Sequence, residues 1–297
     1  ILKVVRKVEA GYEMKASDST GDTKGDHPGG RMIVGLVYPC FCRSSAHVSI
    51  VLAIISASIL YAAAARSNPQ IDSPNAVGSA HSLSPYKATY KTSTAGLSIK
   101  LHRSLTMDQS GDCKLTSEGK LLVAAISEVS VFDIQDMKVR PKSYVYQLSG
   151  PVNRRREVHF DSDSGAIRSL YKKNWYDLPP GEHTLDRMSQ QEQLRLTLMN
   201  MDDPRQDISF SVADGRKVKL HKLKFTGSER LETPMGWVDT LHFERVHRDS
   251  ARRSAIWLAP DWDFLMVRTL HIEDGKTTEA DLISASIVGK DVVGDSA

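Results

Sequence analysis

The stretch Leu97-Ser-Ile-Lys-Leu-His-Arg-Ser-Leu105 decides the fold of this 297-residue chain. Apolar and polar residues alternate along it, and a period of two is typical of a β-strand with one face buried and the other in water. The apolar residues Leu97, Ile99 and Leu101 share one face, and polar residues occupy the opposite face. The stretch therefore predicts a half-buried strand.

The same alternation recurs along most of the chain from Tyr86 onward, which predicts an antiparallel β-sheet. Hairpin signals separate several candidate strands, at residues 161–165, at Asp214-Gly215 and at Asp274-Gly275. The predicted strands are residues 86–90, 97–105, 113–123, 127–134, 142–148, 157–161, 166–171, 207–212, 218–225, 237–246, 254–258, 265–273 and 280–285.

Residues 185–201 break this pattern and predict a helix. Their apolar residues recur at three- and four-residue steps, as in an amphipathic helix, and are Leu185, Met188, Leu194, Leu198 and Met201. A helix with one apolar stripe needs a concave apolar surface, and a sheet curled by its own twist supplies one. We expect a mainly β domain at 85–288, in which a single curled antiparallel sheet, an open half-barrel, packs on this one principal helix.

An export signal is predicted near the start of the chain. Residues 32–65 predict a signal peptide, because basic residues precede the uncharged apolar stretch 48–61 and an alanine run follows it. Counted as residues 48–65, the same segment reaches the lower edge of the length that spans a bilayer, so an inner-membrane anchor stays open as the alternative. Either reading predicts a periplasmic protein, with membrane contact only through an uncleaved leader.

Three further segments lack the strand pattern. Residues 1–31 are polar and predict a disordered or mis-called N-terminal extension. Residues 66–84 are rich in Pro, Ser and Asn, which predicts a flexible tether. Residues 289–297 are expected to form a C-terminal tail.

Composition gives no reason to expect a nucleic-acid partner. Lys+Arg 39 against Asp+Glu 36 leaves a formal net charge of +3, which is too small without clustering. In the basic segment 217–224 (KVKLHKLK), Val218, Leu220 and Leu223 stand between lysines in place of the aromatic residues that nucleic acids favour. We interpret it as a strand whose lysines face water, with contact to anionic lipid as the alternative.

The chain lacks the usual motifs of metal, cofactor and nucleophile sites. Asp161-x-Asp163-x-Gly165 resembles the start of a calcium loop, but Lys172 occupies the twelfth position, where such a loop needs glutamate. A turn between strands is therefore preferred, and no metal or cofactor is expected. Cys113 is the only cysteine outside the leader and is interpreted as a half-buried strand thiol.

Three short motifs stand in the order of a known family. Residues 86–90 with the following Ala95-Gly96 resemble its opening strand and turn. Residues 231–236 (LETPMG) resemble its E-T-x-x-G segment, and residues 256–261 (IWLAPD) resemble its W-L-A-P-D stretch. Over residues 84–286 the chain thus resembles the exported bacterial family called domain of unknown function 3108.

The resemblance implies an open, curled antiparallel sheet comparable with that of periplasmic lipoprotein carriers. It brings no activity and no catalytic residues. Position 266 is a departure from the family pattern: the pattern has proline there, whereas this chain has Met266.

Function is predicted only in outline. We expect a non-catalytic module that binds an apolar or amphipathic ligand, such as a lipid, or an envelope protein partner. Its expected lining consists of inward-facing residues: Leu97, Ile99, Leu101, Leu220, Trp237 and Leu241. The alternatives are a purely structural envelope protein and an envelope hydrolase with a dispersed site, for which His221, His242 and Asp239 are candidates.

Overall fold

A computed structural model describes residues 81–94, 97–151 and 153–296. The expected extension at 1–31, the expected leader at 32–65 and residues 66–80 of the expected tether lie outside these residues. None of the helices in the described part of the chain has the length and hydropathy needed to cross a bilayer.

Sixteen strands of one sheet and a single α-helix make up the fold of the described residues. The first half contains β1 Tyr86–Thr94, β2 Leu97–Met107, β3 Cys113–Leu121, β4 Ala124–Gln135, β5 Lys138–Ser149, β6 Arg154–Phe160, β7 Ile167–Tyr171 and β8 Asn174–Leu178. The second half contains β9 Thr184–Leu185, α1 Ser189–Met199, β10 Ile208–Asp214, β11 Lys217–Thr233, β12 Gly236–Arg245, β13 Arg253–Ala259, a 3₁₀ turn Pro260–Trp262, β14 Leu265–Glu273, β15 Lys276–Ile287 and β16 Lys290–Asp291.

Two antiparallel meanders form this sheet, and they meet at β1 and β15. The strand order runs from β8 back to β1, then from β15 back to β9, and β16 lies beside β15. Only the short β9 pairs in parallel, with β10. The mainly β fold with one open curled sheet and one helix, predicted from the period of two, is confirmed.

The two free edges of the sheet lie close together. Strands β8 and β9 form these edges, yet only residues 179–183 separate them in the chain, which can span at most about 20 Å. The β10–β11 turn also touches the first meander: a Cβ added to Gly215 would lie 3.4 Å from the Tyr171 ring. The sheet therefore curls almost back onto itself.

Helix α1 occupies the concave side of the sheet. No residue from Ser189 to Met199 is exposed, and even Glu192 and Arg195 are at most 3% exposed. The expectation of a helix with one buried apolar stripe is therefore wrong, because the curled sheet covers the polar side chains too. The helix is also shorter than the predicted 185–201, and its first turn is capped by Asp186, whose Oδ1 accepts from the backbone N–H groups of Met188 and Ser189.

The predicted turns agree with the structure, whereas the shortest strands escaped prediction. All three hairpin signals lie between paired strands, and Asp274 and Gly275 both adopt positive φ, as a tight hairpin requires. Strands β8, β9 and β16 are two to five residues long and carry too little alternation to be recognised.

Both ends of the described chain contact the domain. In the expected tether, Leu83 is 2% exposed, and the backbone of His81 exchanges two hydrogen bonds of 2.9 Å with the Asn200 side chain. In the expected C-terminal tail, β16 pairs with β15, and Asp295 exchanges backbone hydrogen bonds with Trp237. The C-terminal segment is thereby tied to the sheet.

Candidate functional site

A groove of about 600 Å³ crosses β1, β2, β3 and β15 on the face that points away from α1. Strand register arranges its side chains in two rows on that face. The first row consists of Thr116, Ser104, Lys87, Ser286 and Asp291. The second row consists of Glu118, His102, Thr89 and Ser284. The groove thus presents mainly hydroxyl groups, with one lysine, one histidine and two carboxylates.

The wall of the groove is apolar and comes from the C-terminal part of the chain. Met235 and Val292 line it, and Ala88 and Ala285 contribute small residues to its floor. The Gly294 N–H donates to the Met235 carbonyl at 2.8 Å, and the Val292 N–H donates to the Ala285 carbonyl at 3.0 Å. These backbone bonds hold the wall against the sheet.

A buried polar network lies on the other side of the groove floor. Arg103 lines the groove, but its Nη1 donates to Gln191 Oε1 of α1 at 2.5 Å. Glu192 accepts from Arg195 Nη1 at 2.7 Å and from the Tyr86 hydroxyl at 2.8 Å. Because burial opposes ionisation of the phenol, the pKa of Tyr86 is raised well above its usual value. One layer of sheet therefore separates the groove from the central helix.

A second polar region lies at the end of the sheet where β10 ends and β11 begins. Asp214 accepts from Lys219 Nζ at 2.5 Å. Burial opposes ionisation of Asp214, but Arg187, Lys219 and Arg156 outweigh it and lower its pKa to about 2. Arg245, the last residue of β12, interacts electrostatically with the same carboxylate. We call Arg156, Arg187, Lys219 and Arg245 the basic cluster.

A buried histidine lies among these charges. His221 is 5% exposed, and its Nδ1 lies 2.8 Å from Gln190 Oε1 of α1. Burial, and after it the neighbouring Arg245, lowers the pKa of His221 to about 3, so the ring is neutral at physiological pH. A neutral ring that donates from Nδ1 to an amide oxygen carries a free acceptor at Nε2.

A chain of hydrogen bonds connects four residues beside the basic cluster. His271 Nδ1 and His247 Nε2 lie 2.8 Å and 2.9 Å from the Ser254 Oγ. His271 Nε2 lies 3.4 Å from Glu273 Oε2, and Glu273 is ion-paired with Arg252. Burial, followed by Arg245, lowers the pKa of His247 to about 4.

Of the six residues expected to line a ligand site, the five whose side chains the structure describes do not line one common site. Leu241 is buried, Leu101 packs against the core and Ile99 is half-buried. Trp237 follows Met235 of the groove wall by two residues. It is half-buried, and its backbone pairs with that of Asp295. The Leu97 side chain lies outside what the structure describes, and none of the other five is among the residues lining the groove.

The inward orientation expected for Leu220 is wrong. Its side chain is 59% exposed, whereas its neighbour His221 is buried. Val218 and Leu220 alternate on one face of β11, but Leu223 and Phe225 belong to the other, and only one face can point inward. The pair Phe225 and Phe243, with ring centroids 5.5 Å apart, places the odd-numbered residues on the core side.

The candidate hydrolase residues are also dispersed. His221 lies beside the helix, while His242 stacks on Trp257 at 4.2 Å between ring centroids and lies 3.2 Å from Glu229. Asp239 is exposed and joins neither arrangement. The Ser254 chain was missed because its members, 247, 254, 271 and 273, meet only through the pairing of β13 with β14.

The calcium-like segment forms a turn, as preferred from its sequence. Asp161 Oδ1 accepts from the backbone N–H groups of Asp163 and Ser164 at 2.9 Å and 3.2 Å. Within the described residues, no three His, Cys, Asp or Glu side chains are grouped to hold a metal ion. Cys113 is 2% exposed, more buried than the half-buried thiol expected.

Comparison with solved structures finds similarities of low TM-score. A β-barrel-like protein of domain of unknown function DUF1849 from Brucella abortus is 11% identical, with a TM-score of 0.46, and the match covers 69% of this chain and 98% of that chain. A protein described as a lipoprotein from Parabacteroides distasonis is 10% identical, with a TM-score of 0.26, over 69% and 96%. MucB in complex with MucA, a pair also solved from Pseudomonas aeruginosa, is 11% identical, with a TM-score of 0.15, over 69% and 88%. Similarities of this size indicate no function for this chain.

No curated protein matches the chain. Its residues 86–281, however, match the family described as "Protein of unknown function (DUF3108)". These residues include every strand from β1 to β14, the helix and the first half of β15, whereas the groove residues from Ser284 onward lie outside the match. The resemblance inferred from the short motifs is thereby confirmed, and the chain belongs to the DUF3108 family.

Proposed function

We propose that this protein is an exported binding module of the bacterial cell envelope, and that an amphipathic ligand occupies the groove walled by Met235 and Val292. The volume of the groove, about 600 Å³, is the observation that supports this function. Ligand sites commonly measure about 300–1,000 Å³ and combine apolar walls with a few convergent polar groups. The concave side of the sheet offers less room, because α1 occupies it.

The lining favours a ligand with both polar and apolar parts. The hydroxyl groups of Thr89, Ser284 and Ser286 can donate and accept hydrogen bonds, and Lys87 supplies a positive charge. Met235 and Val292 offer an apolar wall on one side only. A lipid-like molecule could place its polar group on the sheet and its apolar part against this wall.

Native mass spectrometry of the full chain purified from membranes and periplasm tests the proposal. Ser284 is exposed in the groove, so Ser284→Trp fills it without touching the core. Ser209→Trp, at an exposed position on β10, is the matched control. We expect a copurified adduct with the unaltered chain and with S209W, and its loss with S284W. An adduct retained by S284W, or none on any variant, would contradict the proposal.

Export is the second component of the proposal, and the signal-peptide pattern at residues 32–65 supports it. A chain with a cleaved leader is expected in the fraction released when spheroplasts are made. An anchored chain is expected to stay with the spheroplasts and to be digested by added protease, while a cytosolic control protein survives. The mass of the chain in each fraction before protease is added then distinguishes a cleaved leader from an anchor. Protection of the whole chain until the inner membrane is broken would exclude a periplasmic location.

The hydrogen-bond chain at Ser254 supports a second candidate function, an esterase. If His271 carries its proton on Nε2, that group donates to Glu273, and Nδ1 can accept the proton of Ser254 as Oγ attacks an acyl carbon. His271 would then protonate the departing alkoxide, and water would release the acyl group by the same route. A fluorophosphonate probe should label the full chain but not Ser254→Ala, with Ser228→Ala as the exposed control. Absence of labelling at Ser254 would dispose of this candidate.

A further inference from the structure

The basic cluster gathers four cationic side chains around Asp214 at one end of the sheet. Asp214 interacts electrostatically with Arg156, Arg187, Lys219 and Arg245. Geometry connects the members of the cluster: Arg245 lies opposite Leu223, two residues from His221, and the Tyr171 ring lies against both Arg156 and Gly215, which follows Asp214. All four cationic side chains are half-buried. Cations removed from water in this way are normally balanced by an anion.

Two guanidinium groups of the cluster have donors without acceptors. The Nε atoms of Arg156 and Arg245 are buried and have no hydrogen-bond partner among the described residues. Arg156 packs instead on aromatic rings, 5.3 Å from the centroid of Tyr171. An Arg cannot lose its proton in a protein, so each Nε–H remains a donor in need of an acceptor.

One buried acceptor lies among the same charges. His221 is 5% exposed and interacts with Arg245, Asp214, Lys219 and Arg187. Its Nδ1 is engaged by Gln190, and its Nε2 is buried without a partner. An anion that keeps a hydroxyl group could bond to the arginines and to this nitrogen together.

We propose that the basic cluster and His221 bind a phosphate monoester or hydrogen phosphate group at this end of the sheet. The arginine N–H donors match the phosphate oxygens, and His221 Nε2 accepts from the P–OH group or from a hydroxyl beside the phosphate. Sulfate has the same shape but carries no proton at neutral pH, so it satisfies the arginines alone. The site is separate from the groove, and the proposal goes beyond the function proposed for the groove.

Isothermal titration of the full chain at constant ionic strength tests this proposal. The probes are inorganic phosphate, glycerol 3-phosphate and sulfate, with chloride as the background anion. We expect both phosphates to bind at least about tenfold more tightly than sulfate, the effect of one hydrogen bond to a charged group. Arg245→Gln should weaken phosphate binding by about tenfold or more for the same reason.

Matched variants separate the site from general charge effects. Arg253→Gln removes an exposed arginine that is paired with Glu244 and should leave phosphate binding unchanged. Arg156→Gln provides a second probe of the cluster if R245Q does not fold. Equal phosphate binding by unaltered chain, R253Q and the cluster variants, or no preference for phosphate over sulfate, would overturn the proposal. Groove-filled S284W should keep phosphate binding, so the two proposals can fail independently.

Vesicles distinguish the two sources of the phosphate group. The phosphate group would come from a lipid headgroup if the protein binds glycerol 3-phosphate and also sediments with phosphatidylglycerol vesicles. It should then not sediment with phosphatidylcholine vesicles. Chain that binds glycerol 3-phosphate without sedimenting would take it as a soluble ester. Sedimentation that R245Q does not reduce, without binding of any soluble phosphate, would contradict the site.

Discussion

The hydroxyl group of Tyr86 on β1 donates a hydrogen bond of 2.8 Å to Oε1 of Glu192 on α1, and both residues are buried. Strand β1 pairs with β15 where the two meanders of the sheet meet, so this bond joins that seam to the central helix. Arg195 reinforces the junction, because its Nη1 donates to Glu192 and its guanidinium lies 4.7 Å from the Tyr86 ring centroid. A buried carboxylate thus links the seam of the sheet to the central helix.

Glu192→Gln is expected to destabilise the domain strongly. The substitution leaves Arg103 and Arg195 buried without their shared counter-charge, and loss of one partner of a buried ion pair costs about 3–5 kcal/mol. Urea unfolding followed by circular dichroism measures the loss of unfolding free energy. Glu182→Gln alters an exposed glutamate and should change the free energy of unfolding by less than about 0.5 kcal/mol. Equal stability of E192Q and E182Q would show that the network is not needed.

Gly236→Ala is expected to detach the C-terminal wall of the groove. Gly236 has φ +112°, and a Cβ there would lie 2.6 Å from the Asp295 carbonyl oxygen. Gly111 has φ +89° with open space around it, so Gly111→Ala reports backbone strain alone, about 1–3 kcal/mol. Hydrogen exchange should show loss of protection at Val292 and Gly294 in G236A only. Unchanged protection in G236A would mean that the wall accommodates the methyl group.

Local patterns predicted the sheet because the alternation of apolar and polar residues within each strand reflects which of its side chains are buried. The alternation at 97–105, the hairpin at Asp274-Gly275 and the helical spacing within 185–201 all depend on neighbours in the chain. The same patterns could not predict that Glu192 is buried. Its side chain lies on what looks like the polar side of a helix, and only a sheet that curls around the helix from both meanders covers it.

The candidate sites could not be predicted because they depend on distant residues. Arg156, Arg187, Lys219 and Arg245 are spread over ninety residues and meet only when β6 and β10–β12 reach the same end of the sheet. In KVKLHKLK the apolar residues change face between Leu220 and Leu223, and the sequence gives no means of choosing the inner face. The inner face is determined by the pairing of β11 with β12, which brings the rings of Phe225 and Phe243 into contact.

Stability is expected to fall on mild acidification, and His221 is expected to account for much of the fall. Its folded pKa of about 3 lies below the ordinary value of 6.5, so the unfolded chain binds the proton first. The free energy of unfolding should therefore decrease as pH falls from about 6.5 towards 4, by up to about 1.4 kcal/mol per pH unit for this group. His221→Asn should flatten that slope, whereas His81→Asn, at an exposed position, should not.

Melting temperatures measured between pH 7 and pH 2 give these slopes for each variant. Below about pH 4, protonation of Asp214 should remove further stability, because its folded pKa of about 2 also lies below the ordinary value. H221N should retain this second, more acidic loss. Parallel curves for H221N and the unaltered chain above pH 4 would assign the acid sensitivity to other groups.

Cys113 is expected to resist alkylation in the folded chain. Its side chain is 2% exposed, and burial raises the pKa of the thiol to about 11 from the usual 9. Two pKa units lower the thiolate fraction about 100-fold, and the thiolate is the reactive form. Peptide mapping after iodoacetamide treatment should find Cys113 modified at least about 100-fold more slowly in buffer than in urea.

Ser110→Cys adds an exposed thiol three residues away as an internal standard. Comparable rates at positions 110 and 113 in the folded chain would mean that the strand β3 opens readily, contrary to its central place in the first meander.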